Sequence, residues 1–333
     1  MNTSRRRALV ALLAAVLAAT IAAGLAFGRS TPATIGNGVV VIETNLAYQN
    51  GAAAGTGIVL TGGGRVLTNN HVIRGATTLK IVVPGTGRSY SARVVGYDVS
   101  DDVAVIQANG ASNLRTLSLD TSTPAVGQAV TALGNAGGTG TIVRAEGRVT
   151  GLNRSIQVSD DQGGTARLAG LIETNAALQP GDSGGPLLNR AGKVIGMDAA
   201  ASVGSGYAYY SQQANDGYAI PIGKAVRIAG QITAGRSSAT VHVGATAFMG
   251  IAVEPGDGYL VVGNVVSGGP ADAAGLVPGD AITAVNGRAI ASTDALSRLV
   301  LTKKPGDRVT VAYTDQYGTG HTTTLTLGSG PPQ

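Results

Sequence analysis

From Gly38 to about Ile222 the chain is a succession of short β-branched runs, each closed by Gly, Asn, Asp or Pro. Val39-Val40-Val41-Ile42, Gly57-Ile58-Val59-Leu60, Leu79-Lys80-Ile81-Val82-Val83 and Val103-Ala104-Val105-Ile106 are too short for helices and too regularly punctuated for βαβ units. This spacing predicts an all-β barrel or sandwich. The 51 glycines among 333 residues fit many tight turns and show no Gly-X-Y period. The sequence has no cysteine, so neither disulfides, a thiol nucleophile nor a Cys-based zinc site enters the argument. With only three histidines a His-rich metal site is not expected, and no cofactor is called for.

The period changes near Pro221. Ala225, Val226, Ile228, Ala229 and Ile232 share one helical face, with Gly235 as a stop, so a helix closes a first domain over residues 36–234. A polar linker is expected over 235–244 and a second unit over 245–328. There Asn286-Gly287 marks a tight turn, and Ser292 or Thr293 caps a helix bearing Leu296, Leu299 and Val300. The last residues, 328–333, carry no core-forming pattern and read as a frayed tail.

At the other end, Arg5 to Arg7 precede an uncharged apolar stretch from Ala8 to Phe27. Basic charge before an apolar run is the export pattern, so residues 1–28 read as a signal peptide or a membrane anchor, with a tether over 8–27. The rest of the chain is then extracytoplasmic: secreted, in the cell envelope, or anchored with its body outside. The net charge of +5 includes that leader, and no basic run is interleaved with aromatics, so nucleic-acid binding is not expected.

Gly181-Asp182-Ser183-Gly184-Gly185-Pro186 carries the chemistry. A serine hydroxyl needs a base for its proton and fixed donors for the oxyanion formed on attack. Glycines around Ser183 permit a tight loop, and the N–H groups of Gly181 and Ser183 are the expected oxyanion donors. His71 is the only histidine before Ser183 and so the candidate base. Asp98, Asp101 and Asp102 are candidates to orient it. Asp102 is favoured because it leads into an apolar strand where a carboxylate is buried, while Asp98 and Asp101 are expected in a solvated turn. An esterase is set aside because the Gly-x-Ser-x-Gly elbow is read as absent: Gly181 precedes Ser183, Gly184 and Gly185 follow it, and Pro186 ends the turn. His242 and His321 fit no such set and are expected at the surface.

The order His, Asp, Ser within Thr68-Asn69-Asn70-His71-Val72, Asp102-Val103-Ala104-Val105-Ile106 and the Ser183 run resembles the bacterial HtrA (Deg) family of trypsin-fold proteases, particularly secreted actinobacterial members. The resemblance implies two six-stranded barrels with His71, Asp102 and Ser183 in the cleft between them. It also implies endopeptidase action on unfolded or damaged proteins. Stretches Gly134 to Gly140, Asp160 to Gly170 and Ala199 to Gly217 resemble the family's activation loops and are expected to switch between order and disorder. Ala176, Ala177 and Leu178 suggest an apolar specificity pocket. The family often forms trimers, so a homotrimer is an expectation, although aromatic N-terminal contacts are not evident near Tyr48.

One departure stands out. Asp182 replaces the Asn usual in the family; digestive enzymes with Asp there pair it with a freed N-terminus, for which Ile35-Gly36-Asn37-Gly38 is the candidate.

In the second unit, Phe248-Met249-Gly250-Ile251 resembles the carboxylate-binding loop of PDZ domains, and Gly269 to Ile282 resembles their helix-and-turn signature. The implied fold is a small α+β domain. Met249, Gly250 and Ile251 would hold a protein C-terminus, with Leu296 and Val300 lining the groove. The alternative to a protease is a chaperone-like or PDZ binding protein in which proteolysis is secondary.

Overall fold

A computed structural model describes residues 37–159, 165–201 and 217–333. The expected leader at 1–28, Ile35-Gly36, and parts of two expected activation loops (160–164 and 202–216) lie outside the described residues. Among the described residues no helix is long and apolar enough to cross a membrane.

Strands β1 (Val39–Leu46), β2 (Gly51–Val59), β3 (Arg65–Thr68), β4 (Thr78–Val83), β5 (Arg88–Asp98) and β6 (Val103–Ala108) pair in the ring β1-β2-β3-β6-β5-β4. A second closed barrel joins β7 (Ala129–Gly134), β8 (Val143–Ser159), β9 (Thr165–Thr174), β10 (Pro186–Asn189), β11 (Val194–Ala201) and β12 (Gly217–Pro221). The architecture is therefore the double six-stranded barrel that the resemblance implied.

The unbroken apolar runs have a physical reason. A strand exposed on one face alternates apolar and polar residues, whereas one covered on both faces need not. On β1, Val40 and Ile42 enter the first barrel's core, while Val39 and Val41 pack outward on Leu133 and Ile142 of the second barrel. On β6, Ala104 and Ile106 face inward. Val103 and Val105 join an outer cluster with Ile228 and Ile232. These last belong to helix α2 (Ile222–Thr233), which follows the one-turn helix α1 (Asn70–Ile73); its buried face is Ile222, Ala225, Ile228, Ala229 and Ile232.

Part of the expected linker is structured. β13 (Val241–Val243) adds to the edge of β5, and the His242 ring packs on Tyr97 with centroids 5.0 Å apart. His242 is thus half-buried rather than free at the surface.

The second unit holds β14 (Thr246–Phe248), β15 (Ile251–Pro255), β16 (Leu260–Val265), α3 (Pro270–Ala273), β17 (Ala281–Val285), β18 (Arg288–Ala289), α4 (Thr293–Leu301), β19 (Arg308–Thr314), β20 (Gly320–Thr326) and β21 (Gly328–Gly330). Its main sheet runs β15-β16-β17-β19-β20, which leaves β15 at an edge. Asn286 and Gly287 both take positive φ in the β17–β18 turn, and the Ser292 hydroxyl caps α4 by accepting the Ala295 N–H at 3.2 Å. Exposed His321 is paired with Asp315 at 2.8 Å and stacked on Tyr313.

The end of the chain departs from expectation. β21 pairs with β14, Pro332 is buried, and its carbonyl accepts the Gly75 N–H of the first barrel at 2.8 Å. A segment without apolar periodicity is held here by main-chain hydrogen bonds, which leave no trace in a hydropathy pattern.

Candidate active site

His71 sits in α1, a single turn between β3 and β4. Asp102 is the last residue of the turn between β5 and β6, with φ 52°. One carboxylate oxygen accepts the backbone N–H of His71 at 2.9 Å, and the other lies 2.8 Å from His71 Nδ1. The Asp102 carbonyl accepts the Asn69 amide at 3.0 Å, which ties both ends of this contact to the same loop pair. Asp102 is buried, whereas the imidazole remains a quarter exposed at 25%.

Its neighbours behave differently. Asp98 is buried, not solvated: it closes the turn by accepting from the backbone N–H groups of Ser100 and Asp101 and from the hydroxyls of Ser100 and Thr240. Asp101 pairs with Lys224 of α2 at 2.5 Å. Only Asp102 reaches the histidine.

Ser183 comes from the second barrel, on the loop leading into β10. Its carbonyl accepts the Thr56 N–H of β2 at 2.8 Å. A Cβ on the adjacent Gly55 would meet the side chain of Val72 at 2.7 Å and the Ser183 carbonyl at 3.3 Å. So Ser183 and α1 both crowd the space beside one bare glycine. Gly181-Asp182-Ser183-Gly184-Gly185 does spell Gly-x-Ser-x-Gly, but the segment that follows is a strand and not the helix of an esterase elbow.

The loop's main chain is fixed from behind. Pro180 O accepts from Gly137 N at 2.8 Å, and Asp182 O from Gly185 N at 2.9 Å. Because a trans peptide places C=O and N–H on opposite sides, the Gly181 and Ser183 N–H groups point away from those partners. Gly181 takes φ 99°, and a Cβ there would stand 2.2 Å from Asn135 O. The 134–140 loop, expected as an activation loop, is thus the backing of the Ser183 loop.

Thr56 ties these parts together, and nothing in its local sequence marked it. Its hydroxyl donates to Gly181 O at 2.7 Å and accepts from Asn135 N at 2.9 Å. Thr56→Val keeps the shape and orphans both buried groups, so a destabilisation of about 2 kcal/mol or more is expected. Chemical unfolding would measure that loss, and kcat should fall with little change in KM.

A second feature was equally hidden. Asp198 on β11 is fully buried, and neither carboxylate oxygen has a hydrogen-bond partner among the described residues. Burial, and then the neighbouring Asp182 charge, hold its pKa well above the ordinary 3.8. Asp182 is itself buried and accepts the Gln179 N–H at 2.8 Å. The native state therefore binds this proton more tightly than the unfolded chain. The stability it confers is full below pH 3.8 and is lost as pH rises through the folded-state value. Asp198→Asn should remove that loss, with a higher Tm at pH ~8 and little change at pH ~4 by the same linkage; thermal scans at both pH values test it.

Ala176 and Leu178 turn into the second barrel's core with Val130, Ile172 and Ala219, and only Ala177 is exposed.

In the second unit, Met249 O accepts from Ala271 N at 2.9 Å and Gly250 O from Val266 N at 2.8 Å. By the same peptide geometry the N–H groups of Gly250 and Ile251 face the other way. Leu296 and Val300 lie on α4 beside β15 but are almost wholly buried in the domain core, while Ala295 and Leu299 are only partly buried against it.

Comparison with known proteins agrees with this geometry. The trypsin-like peptidase domain family matches residues 55–197, and the PDZ domain family matches residues 247–322. Serine protease PepD of Mycobacterium tuberculosis is 35% identical over 87% of this chain and 63% of its own length. Protease Do-like 1, chloroplastic, of Arabidopsis thaliana is 33% identical over 86% of this chain and 67% of its own. The chain spans about half to two thirds of the length of the curated relatives it matches. Among solved structures, an HtrA-type protease AlgW with tripeptide superposes with TM-score 0.52 at 26% identity, covering 90% of this chain and 95% of that one. With two barrels, a buried carboxylate on the His71 ring and a PDZ unit behind them, the chain belongs to the HtrA family of trypsin-like serine proteases.

Proposed function

We propose that this protein is an extracytoplasmic serine endopeptidase that cleaves unfolded or damaged polypeptides and uses its PDZ domain to bind their C-termini. The observation that carries the proposal is the double engagement of His71 by Asp102, through the ring and through the backbone. A carboxylate on Nδ1 makes that nitrogen the proton donor and Nε2 the unprotonated nitrogen that takes up a proton. Ser183 Oγ then attacks the scissile carbonyl as His71 Nε2 removes its proton. Asp102 stabilises the imidazolium without taking the proton itself. Charge collects on the former carbonyl oxygen, where the Gly181 and Ser183 N–H groups act as donors. His71 returns the proton to the leaving amine, and water hydrolyses the acyl-enzyme by the same steps in reverse roles.

The remaining parts follow from the leader and the second unit. Arg5 to Arg7 before an apolar run direct the chain out of the cytoplasm, and several relatives are named probable periplasmic serine endoproteases. The unpaired edge of β15, with the turned-out N–H groups of Gly250 and Ile251 at its head, suits a peptide that adds as a strand and ends in a carboxylate.

Casein cleavage, with and without an added peptide bearing a free C-terminus, tests this reading. Wild type should cleave, Ser183→Ala should not, and the peptide should alter the wild-type rate. Equal casein turnover by wild type and Ser183→Ala would overturn the proposal. A holding function alone would show as suppressed aggregation with no cleavage by either protein.

A further inference from the structure

We propose that the last three residues, Pro331 to Gln333, act as a positioning strap for the helix that carries His71. This rests on the reading of His71 as the general base. Helix α1 has only four residues, Asn70–Ile73, and a single turn cannot hold itself together because nucleation costs more than one turn returns. It must be anchored from outside at both ends. One anchor is the Asp102 loop, through the Asn69 amide and the His71 N–H.

The other anchor is the end of the chain. Gly75, just past the helix, donates its N–H to Pro332 O at 2.8 Å. The Asn70 side-chain amide, one residue before the histidine, donates to Gln333 O at 3.0 Å. Gln333 N in turn donates to the Tyr97 hydroxyl at 3.3 Å, and that hydroxyl pairs with Thr246 Oγ1 at 3.1 Å. Tyr97 is fully buried, so this junction is part of the barrel and not a surface accident. Thr246 opens β14, which pairs with β21 and runs directly into the Phe248-Met249-Gly250 loop. The same short segment therefore touches the helix under His71 directly and, through the Tyr97 hydroxyl, is linked to the strand that leads into the PDZ peptide loop.

The strap can be removed without releasing the domain. A chain ending at Gly330 keeps β21 on β14, the stacking of Tyr48 on Phe248 with centroids 5.4 Å apart, and the pairing of β13 with β5. That truncation and Asn70→Ala are the two variants to compare with the full chain. Hydrogen exchange at the Gly75 amide reads the anchor itself, since that N–H loses its acceptor in the truncated chain. Steady-state kinetics on a short peptide substrate read the consequence for chemistry.

The expected result for the truncation is faster Gly75 exchange with kcat lowered about three- to tenfold and KM changed less than about twofold, because a loosened base costs orientation and not substrate binding. Asn70→Ala should move kcat in the same direction by a smaller factor. Wild-type kcat in the truncated chain, or Gly75 exchange as slow as in the full chain, would overturn the strap. Failure of the His71 reading shows separately, as full-chain activity that survives His71→Ala, and does not touch the exchange result.

Discussion

Replacing Asp102 by Asn is expected to lower kcat about 10⁴-fold while leaving KM and the fold nearly unchanged. The magnitude is the general cost of holding a catalytic histidine in the wrong tautomer. The reason it applies here is geometric. One oxygen of Asp102 already accepts the His71 backbone N–H at 2.9 Å. An asparagine must keep its carbonyl there, since turning it around would set an NH2 group against that N–H. Its NH2 then faces Nδ1, 2.8 Å away in the native pair, and makes that nitrogen an acceptor. The ring proton moves to Nε2, where no base remains for Ser183. A kcat within tenfold of wild type would show that this carboxylate does not set the tautomer.

The second large effect is expected at Gly181→Ala. The position takes φ 99°, where a side chain is strained, and the added Cβ would fall 2.2 Å from Asn135 O. The neighbouring backbone has no slack, because Thr56 Oγ1 holds Gly181 O and Gly137 N holds Pro180 O. The loop must shift, and with it the N–H of residue 181. Loss of one preorganised oxyanion donor costs about 10²–10³ in kcat. Strain of about 1–3 kcal/mol should appear as a lower unfolding midpoint. Kinetics and denaturation of the same variant separate the two effects, and wild-type kcat would remove Gly181 from the oxyanion site.

The barrels were legible in the sequence because strands covered on both faces write continuous β-branched runs, as β1 and β6 do. His71 and Ser183 were legible for a different reason: a chain with three histidines and one Gly-Asp-Ser-Gly-Gly-Pro run offers few alternatives. What failed to show were features made by the main chain or by distant partners. Asp98 looked like its solvated neighbours until Thr240, from beyond α2, closed over it. Thr56 is one hydroxyl between glycines, and its partner Gly181 is 125 residues away. Asp198 reads as an ordinary strand residue unless its burial beside Asp182 is known. Residues 328–333 look like a tail because backbone pairing needs no hydrophobic side chains. Leu296 and Val300 were placed correctly on α4, yet their burial in the core limits how much of a groove they can offer.

Activation of Ser183 by His71 is the central step of the proposed chemistry. Labelling with a fluorophosphonate, followed by mass spectrometry of the modified peptide, measures this directly. The prediction is one adduct on Ser183 in wild type, none in Ser183→Ala, and labelling slowed at least about a thousandfold in His71→Ala. Wild-type labelling at another residue, or labelling of Ser183 at an undiminished rate without His71, would contradict it.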